Sequence, residues 1–242
     1  MPVENPVSSP LKLLYLFDID GTLITSGGAG ETSYREAVAQ FCGSLAPLEG
    51  INFAGNTDTG LARSVLVAAG MEPTQETIMA LHDTYLEILI QRIHQHQGSI
   101  LPGIIQLLDR LKERSECVLA LLTGNLAAGA ELKLTHYGVW HYFDFGAYAD
   151  DHHERNRLGR VAVSRAFEAH GEEFTPDRIY VIGDTPRDIE CGKAFGAKTV
   201  AVATGKYSRE ELASHYPEFL FDDFSDVDAV MALIAPKASC RL

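Results

Sequence analysis

Short, nearly continuous apolar runs occupy residues 11–17, 117–122, 178–182 and 198–202, the first three followed at once by a polar residue or glycine. Runs of this length read as strands buried on both faces of a parallel sheet. Between the first and second runs the periodicity is helical. Tyr34, Val38 and Phe41 recur at helix spacing, as do Leu61, Val65, Ala68 and Ala69, and a longer stripe follows through Ile78, Leu81, Tyr85, Leu86, Leu89 and Ile93. Gly70 and Pro73 separate the last two helices, and no strand-like run interrupts residues 31–98. Beyond residue 98 the pattern alternates. Pro102 opens a helix through Leu107, Leu108 and Leu111. Another helix spans 127–137, a short strand 143–148, a polar loop 149–157, a helix through Val161, Ala162, Ala166 and Phe167, and a last strand 219–221. Strands alternating with helices predict an α/β core with a parallel sheet. The core is expected over 1–25 and 99–242, with a small helical domain over 26–98 inserted after the first strand. Residues 1–10 are expected to fray. The stretch Ser26-Gly27-Gly28-Ala29-Gly30 reads as a hinge rather than a dinucleotide fingerprint, because it neither follows the strand directly nor completes G-x-G-x-x-G.

The 242 residues are 46% apolar, enough for a globular core. Twenty basic against 33 acidic side chains leave a net charge of −13, which argues against nucleic acid and anionic membrane as partners. A phosphate-handling site in such a chain needs a local positive patch or a metal. Cys42, Cys117, Cys191 and Cys240 form no C-x-x-C pair, and residues 11–17 are too short to cross a bilayer. A soluble cytoplasmic protein is therefore expected. Nothing in the chain decides between monomer and dimer.

The candidate chemistry sits where the apolar runs end. Asp18 and Asp20 follow the first run at a spacing of two, so a continuing strand would put both on one side, and Gly21 follows where the chain must turn. Two like charges at the mouth of an apolar strand are unfavourable unless a cation or protons neutralise them. Thr123 and Asn125 follow the second run and Asp184 the third. Open α/β sheets bind ligands beyond the carboxyl ends of their strands, where all these residues lie.

The segment Asp18-Ile19-Asp20-Gly21-Thr22-Leu23 resembles the first motif of the haloacid dehalogenase-like superfamily. The segment Leu121-Leu122-Thr123-Gly124-Asn125 resembles its second motif, and Val181-Ile182-Gly183-Asp184-Thr185-Pro186-Arg187-Asp188 its fourth. The three occur in the family's order, and the resemblance covers the chain beyond residue 10. It implies a Rossmann-like, three-layer parallel-sheet core with an inserted helical cap of the C1 type. It also implies a Mg²⁺-dependent phosphatase that forms an aspartyl-phosphate. In that reading Asp18 is the nucleophile. Asp20 is the acid for the leaving alkoxide and then the base for water. Mg²⁺ is held by the Asp18 carboxylate, the Asp20 backbone carbonyl and Asp184, with Asp188 ligating directly or through water. Thr123 and backbone N–H groups near Gly124 hold phosphoryl oxygens, with Asn125 assisting.

The family's third motif supplies a Lys, and residues 150–157 contain none. Arg155 and Arg157 are the two candidates for its role; either keeps the charge and adds bidentate phosphate recognition. Residues 53–58 resemble the cap loop of phosphoglycolate phosphatase-like members, which makes Asn56 and Thr57 candidate substrate contacts. The same two residues read equally well as a helix N-cap ahead of Leu61. Arg35 and Arg63 read as solvated. His94 and His96, two apart on a helix, make a poor metal pair, and His152 and His153 read as solvated loop residues. The expected substrate is a small phosphorylated metabolite, 2-phosphoglycolate among the candidates. A β-phosphoglucomutase-like sugar phosphomutase is the alternative enzyme. A phospho-aspartate signalling module is the non-enzyme alternative, though it would need neither the cap nor Asp20.

Overall fold

The computed structural model of the chain describes residues 11–235. The expectation for residues 1–10, and Cys240, lie outside the described residues. The first apolar run becomes strand β1 (Leu13–Phe17). Tyr15 and Phe17 enter one apolar cluster and Leu14 and Leu16 another, all four fully buried. A strand with apolar side chains on both faces needs helices on both sides, and the rest of the chain provides them. A tight turn leads to β2 (Ile24–Thr25), then α1 (Ala29–Cys42), α2 (Asp58–Ala68) and α3 (Gln75–Arg92). There follow β3 (Ser99–Ile100), α4 (Ile104–Lys112), β4 (Cys117–Leu122), α5 (Ala127–His136) and β5 (Gly146–Ala147). The chain continues through α6 (Arg155–His170), β6 (Ile179–Gly183), α7 (Pro186–Ala194) and β7 (Lys198–Val202). It closes with α8 (Arg209–Ala213), β8 (Phe219–Phe221) and α9 (Val227–Ile234).

Six strands form one sheet in the order β5-β4-β1-β6-β7-β8, with every pair parallel. Helices α4, α5 and α9 cover the Tyr15/Phe17 face through residues such as Leu107, Leu134 and Ile234. Helices α6 and α7 cover the other face through Leu158, Ala162 and Cys191. The result is the expected three-layer, Rossmann-like core, with β1 near its centre.

Helices α1, α2 and α3 build a separate apolar cluster around Tyr34, Val38, Leu61, Val65, Leu81 and Tyr85, and Leu126 and Ala149 from the core's loops join it. The two connections to this segment are strands, which the apolar pattern does not reveal: β2 and β3 pair antiparallel, Ile24 opposite Ile100. Two residues per strand leave no periodicity to read. Gly27 and Gly28 have φ of +61° and +87°, so α1 starts directly after the joint, with Gly28 as its N-cap. Two further expectations shift. The strand expected over 143–148 is only Gly146–Ala147. Helix α6 begins at Arg155, inside the expected loop, with Glu154 at its N-cap. No helix among the described residues is long and apolar enough to cross a membrane.

Candidate active site

Asp18 is the first residue past β1, and its N–H still bonds the Ile182 carbonyl at 2.9 Å, which ties it to the end of β6. The chain then leaves strand geometry. Gly21 takes φ +85° and its N–H bonds the Ile24 carbonyl at 2.8 Å, closing the turn. Asp18 and Asp20 line the same cleft, but past the strand end they acquire different partners.

Asp18 is 6% exposed and faces Arg155, whose Nη2 lies 3.1 Å from its Oδ1. The same nitrogen contacts Asp188 Oδ1. Arg155 reaches this point because it is the first residue of α6, aimed at the strand ends and almost fully buried. The other Asp188 oxygen is also engaged. It accepts the Thr185 N–H at 3.0 Å and the Thr185 hydroxyl at 2.6 Å in the capping box that starts α7. Burial pushes the Asp18 carboxyl up to about 6 against the pull of Arg155, with the Asp188 charge adding to the rise. Asp184, the residue after β6, accepts the Thr22 hydroxyl at 3.2 Å, and burial followed by the Asp188 and Asp18 charges raises its pKa well above the usual range.

Asp18, Asp184 and Asp188 each present a carboxylate oxygen, and these atoms lie within 4.8 Å of one another. Ionised together, three carboxylates against the single Arg155 guanidinium would leave two negative charges uncompensated in a buried site. An all-oxygen donor set with that excess charge fits a hard divalent cation such as Mg²⁺. The space beside Asp184 is kept open by two glycines. A Cβ at Gly21 would stand 2.4 Å, and one at Gly205 1.7 Å, from Asp184 Oδ2.

Asp20 sits in a second ion-pair cluster. Lys133 Nζ lies 2.6 Å from its Oδ2 and 2.7 Å from Asn125 Oδ1, and Asn125 Nδ2 donates to the same Asp20 oxygen at 2.9 Å. Burial alone would raise the Asp20 pKa; Lys133, then Asn125 and Ser26, hold it below the usual carboxylate range. Lys133 is 3% exposed on α5, on the face that also buries Ala130 and Leu134.

The structure brings Asp18, Asp20, Gly124, Asn125, Arg155 and Asp184 together around one cleft, and Asn56 lines its outer wall. Asp188 stands behind them, in contact with Arg155. Thr123 is fully buried. Its hydroxyl bonds Asp18 and accepts from Asn125 Nδ2 at 2.9 Å, so it orients these two side chains rather than facing the cleft. Two further expectations are corrected. Arg157 points away, 65% exposed and paired with Glu154, because two residues further along α6 turn it to the outer face. Thr57 does not line the cleft: its hydroxyl caps α2 by accepting the Gly60 N–H at 3.0 Å and donates to the His153 carbonyl at 2.6 Å. Lys133 is a residue the sequence reading passed over. Its signal was a Lys on the apolar stripe of a helix, one turn after Ala130. Asp58 was missed as well; its Oδ2 accepts the Leu126 N–H at 2.9 Å and its N–H bonds the Gly124 carbonyl at 2.7 Å.

Fold and site define an α/β-class enzyme with an acidic centre at the carboxyl edge of its sheet. A model described as haloacid dehalogenase-like hydrolase matches residues 15–202, and the chain belongs to that family. Membership in a hydrolase family sets aside the signalling-module reading. Among relatives, a protein named probable phosphatase IndB from Dickeya dadantii is 26% identical over 95% of this chain and 98% of its own length. A phosphoglycolate phosphatase from Haemophilus influenzae is 25% identical over 89% of this chain and 96% of its own. A hydrolase structure from Pseudomonas syringae superposes with a TM-score of 0.69 at 22% identity, covering 93% of this chain and 100% of that one, a likeness of fold.

Proposed function

We propose that the chain is a Mg²⁺-dependent phosphomonoesterase that acts on a small phosphorylated metabolite through an aspartyl-phosphate on Asp18. The observation that carries the reading is the placement of Asp18. It ends a central strand, with its carboxylate fixed by Arg155 and within reach of Asp184 and Asp188. A carboxylate held in this way attacks phosphorus in line, and the bond to the ester oxygen breaks as the acyl-phosphate forms. Arg155 takes the place of the family's Lys and offsets charge on the transferred group. Asp20, open to the same cleft and oriented by Lys133 and Asn125, protonates the leaving alkoxide and then draws a proton from the water that hydrolyses the aspartyl-phosphate. Asp18, Asp184, the Asp20 carbonyl and, directly or through water, Asp188 would hold Mg²⁺, which would let an anionic nucleophile approach an anionic ester and would stabilise the developing charge.

In the same reading residues 26–98 act as a cap over a core of 1–25 and 99–242, and the protein works in the cytoplasm. The cap's inner loop brings Asn56 to the cleft, where its side chain contacts Arg187. The relatives' names make 2-phosphoglycolate the first natural ester to try. The test is release of inorganic phosphate from p-nitrophenyl phosphate and 2-phosphoglycolate with Mg²⁺. Release stops with chelator and in Asp18→Asn. Undiminished release in Asp18→Asn overturns the nucleophile, and an isomerised sugar phosphate without net phosphate release favours the mutase.

A further inference from the structure

The cleft between the helices and the sheet edge measures about 810 Å³, in the upper part of the range of about 300–1,000 Å³ that holds drug-sized ligands. A two-carbon ester would leave most of it to water. Its far wall is aromatic. Tyr34 packs edge-on against Phe53, ring centres 5.7 Å apart, and tilted against Tyr85 at 5.2 Å. Tyr85 is 2% exposed, lines the cleft, and its hydroxyl has no hydrogen-bond partner among the described residues. That hydroxyl lies on the Lys133 side of the cleft: a Cβ on Gly30 would be 3.0 Å from Lys133 Nζ and 3.9 Å from the Tyr85 oxygen. The hydroxyl opens onto the cleft, where it is free to donate to a bound molecule.

The two cations nearest the rings are already paired. Arg35 pairs with Glu31 at 2.7 Å and stacks on Phe53, and Lys133 pairs with Asp20 at 2.6 Å. Asp58 adds a carboxylate to the lining. Lys206, exposed at the mouth, touches the Asn52 amide at 3.4 Å. Lys206 has no carboxylate partner among the described residues, whereas the cations nearest the rings, Arg35 and Lys133, are both paired, so a second substrate anion seated on the rings would have to compete for a cation already engaged.

We propose that the alcohol part of the substrate is neutral, larger than two carbons and partly apolar, seated on Phe53, Tyr34 and Tyr85 with the Tyr85 hydroxyl as its hydrogen-bond donor. This rests on the phosphomonoesterase reading and narrows its substrate class, away from 2-phosphoglycolate. The test compares kcat/KM with Mg²⁺ for 2-phenylethyl phosphate, ethyl phosphate and 2-phosphoglycolate, all alkyl esters, with p-nitrophenyl phosphate alongside. The phenylethyl ester leads both others by about tenfold or more. Phe53→Ala and Tyr85→Ala bring its lead over ethyl phosphate toward one. Tyr85→Phe, which keeps the ring but removes the donor, lowers kcat/KM several-fold for 2-phenoxyethyl phosphate, whose ether oxygen can accept. A lead for 2-phosphoglycolate, or a lead for the phenylethyl ester that neither alanine variant moves, overturns the substrate class. Hydrolysis of p-nitrophenyl phosphate with none of the alkyl esters does the same and leaves the phosphatase reading standing. Inertness toward all of these esters removes both.

Discussion

Asp18 and Asp20 are two residues apart, open onto one cleft and each pair with a buried cation, yet their surroundings push them in opposite directions. Asp18 shares Arg155 with Asp188 and faces Asp184, so burial and neighbouring charge raise its pKa to about 6. Asp20 has Lys133 and the Asn125 amide largely to itself, and its pKa falls. The difference lies in how many carboxylates share each cation. One guanidinium among three carboxylates leaves a deficit that a divalent ion can fill; one ammonium and one carboxylate leave none. Identical side chains on one turn thereby differ in charge balance: one side has room for a metal, and the other holds Asp20 in the ionised form that a base for water requires.

The sharpest way to break this division is to remove one carboxylate at a time. Asp18→Asn is expected to abolish turnover, a loss at least on the order of 10³-fold in kcat, with no phosphoenzyme. Asp20→Asn is expected to lose about 10²–10⁴-fold in steady turnover yet still label Asp18 with an activated aryl phosphate, whose leaving group needs no proton. Rapid-quench detection of label that is both acid-stable and base-labile, as an acyl phosphate is, separates the two variants. Equal loss of label in both would erase the distinction.

Next in size is the shared cation. Arg155→Met leaves Asp18 and Asp188 buried without their partner. It is expected to cost about 3–5 kcal/mol of stability, read by denaturant unfolding, as for other broken buried pairs. Mg²⁺ should recover part of that loss, because it fills the same deficit.

A smaller effect follows from pH. The folded-state pKa of Asp18 is raised above its ordinary value of 3.8, so its ionisation destabilises the metal-free fold at neutral pH. That penalty is present above about 6 and is relieved as pH falls from there toward 3.8. Saturating Mg²⁺ should therefore raise the Tm more at pH 7.5 than at pH 5, where protons compete for the same oxygen. A Tm increment independent of pH would place the ion elsewhere.

The smallest predicted changes come from residues that the structure removes from the cleft. Thr57→Ala loses the α2 cap and costs about 1 kcal/mol. Arg157→Ala stays within about 0.5 kcal/mol and leaves kcat unchanged.

The two sides of the turn were also unequally legible. Asp18, Asp184 and Arg155 follow local pattern, being carboxylates just past apolar runs and an Arg in the polar loop ahead of a helix. Strands β4, β7 and β8 stand where the apolar runs lie. Lys133 was not legible as a site residue, because its partner is 113 positions away and a helical Lys ordinarily reads as solvated. Asp58 looked like an ordinary first-turn acid of α2, and only the docking of that helix on the Gly124–Leu126 loop gives it a role. Arg157 and Thr57 failed for a related reason. Spacing along the chain cannot say which face of α6 meets the sheet, or that a hydroxyl at a helix start is taken up by its own backbone.

The claim that Asp18 captures the phosphoryl group beside a cation shared with Asp184 is tested most directly by a crystal structure with Mg²⁺ and trifluoroberyllate, a phosphoryl mimic. The account predicts beryllium joined to Asp18 Oδ, and Mg²⁺ at about 2.0–2.1 Å from oxygens of Asp18 and Asp184. Beryllium on Asp20, or a metal bound away from these carboxylates, would contradict it.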